Sequence, residues 1–254
     1  MNDIRELTSD VLHEVSMIVF DVDGVLVPRG TKIKQVGDTT TFNTKKIEAR
    51  LMSKIKRLHE AGFYINISSG RGLYMLQEMF RSVLPYVSLT YENGSATWSA
   101  GRIHQHVNSF NFLRDVHNKV SLVVSKHIKG FEPKEFIITI HCKKRVSKIE
   151  SICAKVPEIY CIWNGEAYDI GVLHKQNKGI GLRHWSSELG INTADILAIG
   201  DNLNDVDLLK AAGITVTADK GRLMGHYAIP LNGKKLPGEV LIDQILKEVK
   251  KWVC

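Results

Sequence analysis

The chain lacks the features of a disulfide-rich, membrane-spanning or secreted protein. Its four cysteines include no Cys-x-x-Cys pair, so we expect reduced, mostly buried thiols. No apolar run approaches the ~20 residues that a transmembrane helix needs. Residues 1–16 are acidic and polar, which does not resemble a secretory signal and predicts a cytoplasmic protein. The cysteines are Cys142, Cys153, Cys161 and Cys254.

The chain also lacks a concentrated basic patch. Lysine and arginine number 34 against 27 acidic residues, a net charge of +7, and aromatic residues make up only 7%. The basic residues are spread along the chain, whereas nucleic-acid binders concentrate them and interleave aromatics. We therefore expect no nucleic-acid partner and no membrane partner. The excess charge favours a small anionic partner, such as a phosphorylated metabolite.

Both ends of the chain alternate short apolar segments with helical periodicity. This order predicts an α/β fold with a doubly wound parallel sheet, of the Rossmann-like kind. Asn43 or Thr44 is the predicted cap of the first helix in this pattern, and Gly62 its end. The predicted strands are 16–20, 63–67, 86–91, 196–200, 214–217 and 227–230, and the later helices are 73–82, 179–189, 205–212 and 238–253.

The middle of the chain has a different character. Residues 93–173 contain neighbouring strand signals and two helical patterns, which predicts an inserted α+β domain. The predicted organisation is a core of 1–92 and 174–254 that is interrupted by this insert. Residues 27–42 are polar and rich in Gly and Thr, so we predict a loop or small excursion there. The insert's predicted strands are 96–98, 102–107, 136–141, 159–163 and 167–173, and its helices 110–127 and 146–156.

Four acidic residues follow two of the predicted strands. Asp21 and Asp23 come after one strand, and Asp201 and Asp205 after another. If the two strands are neighbours, the carboxylates converge and raise one another's pKa values. Mg²⁺ would relieve this repulsion because it prefers oxygen ligands, and such sites commonly handle phosphates.

Two further residues suit a phosphate group. Ser69 follows a strand and offers a hydroxyl at a helix start, although a serine there is also a common helix cap. Lys178 precedes a helix and offers an ammonium group, with Lys175 as a nearby rival. Together with a nucleophilic carboxylate, these groups favour phosphoryl transfer.

The ordered motifs resemble those of the haloacid dehalogenase (HAD) superfamily. They are Phe20-Asp21-Val22-Asp23-Gly24-Val25-Leu26, Ser69-Gly70-Arg71, Lys178-Gly179 and Gly200-Asp201-Asn202-Leu203-Asn204-Asp205. The resemblance covers nearly the whole chain. The insert between the second and third motifs resembles the large α/β cap of the Cof-type and sugar-phosphatase subgroup. Val25 departs from the Thr that many relatives carry.

The resemblance implies a role for each motif residue. Asp21 would be the nucleophile, and Asp23 the general acid and then the base. Ser69 and Lys178 would hold the phosphoryl oxygens. The metal set, for Mg²⁺, would be Asp21, Asp23 through its backbone carbonyl, Asp201 and Asp205, and the substrate set would be Ser69, Gly70, Arg71, Asn93, Lys178 and Asn204.

In the resembled subgroup the cap selects the substrate. Gly94 is a further candidate near the site, and Glu132, Lys134, Trp163 and Glu166 are candidates within the cap. The expected activity is Mg²⁺-dependent hydrolysis of a phosphomonoester such as a sugar phosphate or a phosphoglycolate-like acid. A phosphomutase, a catalytically silent binding scaffold and an anion-binding module stay as alternatives. A metal pair at His104 and His106 lacks an obvious third ligand, and the oligomeric state is open between monomer and homodimer.

Overall fold

A computed structural model describes residues 1–30, 32–37, 39–43, 45–230 and 235–253, except the side chain of residue 253. The chain divides into two compact units. Unit 1 contains residues 1–29, 45–106 and the described part of 177–254. Unit 2 contains the described part of 30–44 together with 107–176.

The described residues form strands and helices in alternation. The strands are β1 (Asn2–Asp3), β2 (Met17–Phe20), β3 (Lys32–Val36), β4 (Thr39–Asn43), β5 (Tyr64–Ser68), β6 (Ser88–Tyr91), β7 (Ala96–Ser99), β8 (Arg102–Gln105), β9 (Ile128–Glu132), β10 (Ile138–Cys142), β11 (Ile159–Trp163), β12 (Ala167–Val172), β13 (Ile196–Gly200), β14 (Ile214–Thr217) and β15 (Tyr227–Ala228). The α-helices are α1 (Ser9–His13), α2 (Ala49–Glu60), α3 (Leu73–Met79), α4 (Phe110–Ser121), α5 (Ser147–Cys153), α6 (Lys178–Leu189), α7 (Val206–Ala211) and α8 (Pro237–Val249).

Unit 1 is built on a nine-stranded sheet in the order β1-β15-β14-β13-β2-β5-β6-β7-β8. The strands from β1 to β6 in this order are parallel, whereas β7 and β8 continue the sheet as an antiparallel hairpin. The four central strands β13, β2, β5 and β6 therefore end at the same edge. A parallel sheet with helices along it confirms the α/β prediction.

The alternation of side chains along β2 shows why helices cover both faces of the sheet. Met17 and Val19 are buried in one core cluster with residues of α6 and α7, of which Leu182 and Leu208 are members. Successive side chains of a strand point to opposite faces, so Ile18 and Phe20 need a second apolar cover on the other face. They are fully buried as well. Such continuous apolar strands are typical of parallel sheets that are covered on both sides.

Unit 2 is an α+β structure. Its four-stranded antiparallel sheet has the order β11-β12-β10-β9. Helices α4 and α5 contribute Leu113, Val116 and Ile149 to a core that they share with strand residues such as Ile140 and Ile170. An inserted α+β domain is thus present in the chain, as the sequence predicted.

Several local predictions differ from the structure. Residues 32–36 and 39–43 form an antiparallel hairpin within the segment that the sequence predicts as a loop or small excursion, and both strands contain β-branched residues, which favour a strand. Helix α2 begins at Ala49, after Glu48, and Asn43 ends β4; Thr44 lies outside the described residues. Strands β7 and β8 belong to the large sheet of unit 1, whereas the sequence assigned them to the insert.

Helix α4 is shorter than the predicted helix 110–127. It ends at Ser121, and the following segment forms β9, a strand that the sequence analysis did not identify. Gly130 within β9 is a weak strand former, so this strand carries little local signal.

No helix within the described ranges has both the length and the apolar character that a bilayer crossing requires. The thiols of Cys142, Cys153 and Cys161 are free. Cys254 lies outside the described residues.

Candidate active site

The first site element is a tight turn after β2. The Asp21 N–H donates to the carbonyl of Ile199 in the neighbouring strand β13 (3.1 Å), which continues the parallel pairing. The chain then reverses, with hydrogen bonds from Gly24 N–H to the Val27 carbonyl (2.7 Å) and from Val27 N–H to the Val22 carbonyl (3.0 Å). The turn presents Asp21 and Asp23 at the carboxyl end of the sheet.

Glycine is required at position 24. Its φ is +83°, and a Cβ there would lie 1.7 Å from Oδ2 of Asp201. The turn after β2 therefore packs directly against the loop after β13, which brings the first and fourth sequence motifs together.

Three carboxylates meet at this edge of the sheet. Asp21, Asp201 and Asp205 are buried, and each offers an oxygen within 4.8 Å of the others. Asp205 is fixed by the backbone, because its Oδ2 accepts the N–H groups of Asp201 (3.0 Å) and Asn202 (3.1 Å). Three of the four acids that the sequence predicts to converge therefore meet here, whereas the Asp23 carboxylate does not belong to this group.

Lys178 lies at the centre of the cluster. Asn177 caps α6 by accepting the Ile180 N–H (2.8 Å), so the helix begins at Lys178. The Nζ of Lys178 donates to Oδ1 of Asp21 (2.5 Å) and to Oδ1 of Asp205 (2.6 Å). Its rival Lys175 instead lies over the ring of Phe112, within unit 2.

Burial and the neighbouring charges shift the pKa values of the groups in this cluster. Desolvation raises the pKa of Asp21 well above its usual value, and the Asp205 carboxylate adds to the effect. Desolvation also raises the pKa of Asp201 to about 6, against the lowering effect of Arg29. The pKa of Lys178 is raised, since Asp205 and Asp21 outweigh the desolvation of its ammonium group. Two cations, the Lys178 ammonium and the Arg29 guanidinium, thus face three buried carboxylates.

Arg29 is a site residue that the sequence analysis missed. Its Nε donates to Oδ2 of Asp201 (2.6 Å) and its Nη2 to the Asp201 carbonyl (2.9 Å). It follows the first motif by a few residues but belongs to none of the four motifs. No sequence pattern that we considered points to it.

The second motif and the loop after β6 support each other through backbone hydrogen bonds. Ser69 N–H donates to the Thr90 carbonyl (2.9 Å), and Asn93 N–H donates to the Ser69 carbonyl (3.1 Å). Glu92 N–H donates to the Arg71 carbonyl (3.1 Å). Ser69 is buried, and its hydroxyl oxygen accepts the Arg71 N–H (3.2 Å).

Two glycines near this junction, Gly70 and Gly94, lie where a side chain would meet a close neighbour. A Cβ on Gly70 would lie 3.0 Å from Oδ1 of Asn93. Asn93 and Gly94 have φ values of +55° and +83°, and a Cβ on Gly94 would lie 2.3 Å from the Asn177 carbonyl oxygen. The loop after β6 therefore packs tightly against both the second motif and the start of α6.

Arg71 holds the second aspartate of the first motif. Its Nε and Nη2 donate to Oδ2 (2.9 Å) and Oδ1 (2.7 Å) of Asp23. The Arg71 side chain is 6% exposed and the Asp23 side chain 34%, so the arginine forms the buried side of the pair. Its third nitrogen, Nη1, is buried and has no hydrogen-bond partner among the described residues.

The chemistry of this donor set fits a hard divalent cation. Among the described residues, Asp21, Asp201 and Asp205 form the only cluster of acid, histidine or cysteine side chains with metal-binding spacing. All their donors are oxygens, and their excess negative charge is buried. Mg²⁺ is bound by one or two carboxylates with waters and phosphates.

Other candidates lie apart from the acidic cluster or have different partners. Asn204, on the turn after Asp201, is exposed. His104 pairs with Glu188 (2.5 Å), and His106 stacks on His184. Neither histidine belongs to a metal-binding group of described residues.

The four cap candidates lie in unit 2. Glu132 is buried between Lys134 (3.1 Å) and His141 (2.9 Å). Lys134 lowers the pKa of Glu132 to about 2, against desolvation, with help from His141. Trp163 packs on Tyr168, whereas Glu166 is exposed.

A family model for haloacid dehalogenase-like hydrolases matches residues 18–117 and 103–222. Among curated proteins, the chain is 23% identical to 5-amino-6-(5-phospho-D-ribitylamino)uracil phosphatase of Bacillus subtilis, covering 94% of this chain and 96% of the relative. It is 28% identical to a phosphoglycolate phosphatase of Methanothermobacter thermautotrophicus, covering 71% and 81%.

Solved structures share the fold. The C-terminal domain of a Candida albicans trehalose-6-phosphate phosphatase aligns with a TM-score of 0.69 at 14% identity, covering 97% of this chain and 96% of that one. A HAD-superfamily phosphatase from Bacteroides thetaiotaomicron aligns with a TM-score of 0.67 at 16% identity, covering 94% and 96%. The family match spans most of the chain and includes all four motifs. The chain therefore belongs to the haloacid dehalogenase-like hydrolases, with a Rossmann-like core and an inserted α+β domain, and is an enzyme of their phosphatase type.

Proposed function

We propose that the chain is a Mg²⁺-dependent phosphomonoesterase that acts on a small phosphorylated metabolite through an aspartyl-phosphate. The contact of Lys178 Nζ with both Asp21 and Asp205, beside Asp201, carries this proposal. It gives a nucleophilic carboxylate, a fixed cation and an oxygen-rich metal cluster in one place, which are the parts that phosphoryl transfer needs.

The metal would be held by the carboxylates of Asp21 and Asp201, with Asp205 beside them and the backbone carbonyl of Asp23. When bound, Mg²⁺ would supply the positive charge that neutralises the cluster and attracts phosphoryl oxygens. The raised pKa of Asp21, caused by burial and by Asp205, supports this need for a further cation besides Lys178 and Arg29.

In the first step, an Asp21 oxygen attacks phosphorus and the bond to the leaving oxygen breaks. Asp23 gives that oxygen a proton, so the alcohol leaves neutral. In the second step, Asp23 takes a proton from water as the water oxygen attacks phosphorus. The bond between Asp21 and phosphorus breaks, and inorganic phosphate is released. Lys178 and Ser69 hold phosphoryl oxygens throughout.

Arg71 has two tasks in this scheme. Its two hydrogen bonds orient Asp23, which makes it a positioning residue for the acid and base. Its unpaired, buried Nη1 is a donor that an anionic substrate oxygen would satisfy, because an unpartnered buried N–H is costly. The roles of Gly70 and Asn93 are steric and structural support for this loop.

The relatives suggest the substrate class. Their names refer to a phosphorylated ribityl compound and to phosphoglycolate, both small phosphomonoesters. We therefore propose a sugar phosphate or a phosphoglycolate-like acid.

The decisive experiment measures phosphate release from a panel of small phosphate esters, with Mg²⁺ and with EDTA. The wild-type protein is compared with Asp21→Asn and with the control Asp115→Asn, whose exposed carboxylate lies in unit 2. Asp21→Asn is expected to lower turnover by roughly a thousandfold or more while the fold persists. EDTA should abolish release, and Asp115→Asn should behave as wild type. Near-native turnover of Asp21→Asn, or release that is unaffected by EDTA, would refute the mechanism.

A further inference from the structure

Arg29 reaches the fourth motif from a fixed position just after the first. It follows the turn after β2, in which the Val27 carbonyl accepts the Gly24 N–H (2.7 Å). Pro28 comes next and restricts the chain before Arg29, because its ring fixes φ. A Cβ on Gly24 would lie 3.1 Å from Arg29 Nε, so the arginine side chain packs against this turn. Arg29 and Asp201 both belong to unit 1.

The Arg29 guanidinium is joined to the side chain and to the main chain of Asp201. Nε and Nη2 lie 2.6 Å and 2.5 Å from Asp201 Oδ2, and Nη2 also donates to the Asp201 carbonyl (2.9 Å). The Asp201 side chain is 6% exposed and the Arg29 side chain 37%, so the acid is the buried partner. Contacts with both parts of one residue restrict the rotation of its carboxylate, and a planar guanidinium gives such contacts a defined geometry.

The hydrogen bonds of the acidic cluster use the carboxylate oxygens unequally. Asp205 has both oxygens engaged, Oδ1 by Lys178 and Oδ2 by main-chain N–H groups. Asp21 has only Oδ1 engaged, by Lys178, and Asp201 only Oδ2, by Arg29. Among the described residues, no hydrogen bond reaches Oδ2 of Asp21 or Oδ1 of Asp201. These two oxygens are therefore left for a metal ion.

We propose that Arg29 is a positioning residue for the divalent cation, because it holds Oδ2 of Asp201 and thereby keeps Oδ1 in place as a metal ligand. A guanidinium has no acceptor atom, so Arg29 acts through Asp201 and not as a ligand itself. This role rests on the proposed Mg²⁺-dependent function of the site. Loss of a partner that orients a metal ligand lowers metal affinity roughly 10- to 100-fold.

The positive charge of Arg29 makes the direction of the effect diagnostic. A cation beside a metal site repels the metal ion, so removal of its charge alone would strengthen Mg²⁺ binding. Loss of the orientation of Asp201 would instead weaken it. Weaker binding after removal of Arg29 therefore reports positioning, because an electrostatic effect alone has the opposite sign.

The test measures the dissociation constant of Mg²⁺ by isothermal titration calorimetry on the full chain without substrate. Arg29→Met removes the charge and the hydrogen bonds, whereas Arg29→Lys keeps the charge but cannot reproduce the planar contact. Both variants are expected to raise the dissociation constant roughly 10- to 100-fold. Arg222→Met is the control, because the exposed Arg222 contacts Asp219 and Asn202 but none of the clustered carboxylates. It should bind Mg²⁺ no more weakly than the wild type.

The outcomes separate the role of Arg29 from the proposed function. A dissociation constant at or below the wild-type value in either folded Arg29 variant would overturn the proposal. Arg29→Lys decides the question if circular dichroism shows that Arg29→Met is unfolded. Wild-type protein that binds no Mg²⁺ would overturn the proposed function as well. Binding that is lost in Asp201→Asn but kept in the Arg29 variants would overturn the role of Arg29 alone.

Phosphate release gives a second readout. Arg29→Met is expected to recover turnover as Mg²⁺ is raised, because Arg29 acts through metal affinity. Turnover that stays low at saturating Mg²⁺ would contradict a role in metal positioning.

Discussion

Lys178 is the residue on which the acidic cluster depends most. Its side chain has no exposure, and its Nζ contacts two buried carboxylates. Replacement by Met keeps the length of the side chain but leaves these carboxylates without a cation. We expect Lys178→Met to lower the free energy of unfolding by about 3–5 kcal/mol in EDTA, because a buried charge without its partner is costly.

Urea unfolding in EDTA checks this expectation. Lys175→Met is the matched control, because the Lys175 ammonium lies over the ring of Phe112 and contacts no carboxylate in the described contacts. If both variants lose equally little stability, the Lys178 ion pairs contribute nothing and the electrostatic account is wrong.

Gly24 allows a comparison between steric and conformational effects. Gly24 and Gly101 share a φ of +83°, yet only at Gly24 would a Cβ meet a neighbour, the Asp201 carboxylate. Gly101→Ala is expected to lower the free energy of unfolding by about 1–2 kcal/mol, because a residue with a Cβ is strained in the left-handed conformation. Gly24→Ala should lower the free energy of unfolding by more than Gly101→Ala does, because the Asp201 carboxylate must move away from the new Cβ. The same movement should also lower turnover.

The measurements are the free energy of unfolding and the rate of phosphate release. If Gly24→Ala and Gly101→Ala lose equal stability and Gly24→Ala keeps full turnover, then Asp201 can accommodate a side chain at position 24.

At the scale of elements, the buried hydroxyl group of Ser88 connects two strands and a helix through hydrogen bonds. Ser88 Oγ in β6 accepts an N–H from Asn66 Nδ2 in β5 (2.9 Å) and from Trp185 Nε1 in α6 (3.0 Å). Ser88→Ala removes this acceptor, so we expect a loss of about 2 kcal/mol in unfolding free energy. Ser82→Ala, at an exposed position, is the control and should change stability little. No loss in Ser88→Ala would show that water replaces the hydroxyl.

The elements themselves were largely predictable, for a local reason. Apolar segments such as Met17–Phe20 and Ile196–Gly200 end abruptly at an aspartate, and both are strands that end at the site. The strands of the hairpin β3–β4 were not predicted within the loop or small excursion expected there, because their residues are mostly polar and exposed. Strand β9 was missed since its residues, Ile128–Glu132, include a glycine and have no clear alternation.

At the scale of the whole molecule, proton binding and metal binding compete at the acidic cluster. Burial raises the pKa of Asp201 to about 6 and that of Asp21 well above its usual value. The metal-free folded state thus binds these protons more tightly than the unfolded chain does. The stability that these two groups contribute therefore falls as the pH rises from about 4 towards and beyond 6.

Mg²⁺ should reverse this trend because it favours the ionised carboxylates. We expect Mg²⁺ to raise Tm by more at pH 7.5 than at pH 5, and to raise it much less in Asp201→Asn. Thermal unfolding with and without Mg²⁺ at the two pH values checks this. A larger effect at pH 5, or an undiminished effect in Asp201→Asn, would place the metal elsewhere.

The sequence by itself determined the fold class and the residues at the carboxyl ends of the strands, because strand patterns and strand-end motifs are local. The sequence also predicted that the acids and Lys178 share one site, but only the tertiary structure decided which charged groups pair. Lys178 contacts Asp21 across 157 positions, and Arg29 contacts Asp201 across 172. Arg71 pairs with Asp23 across 48 positions, and Asn204 is exposed beside the buried Asp205. Such partners are selected by strand order and side-chain packing, which leave no local signature in the sequence.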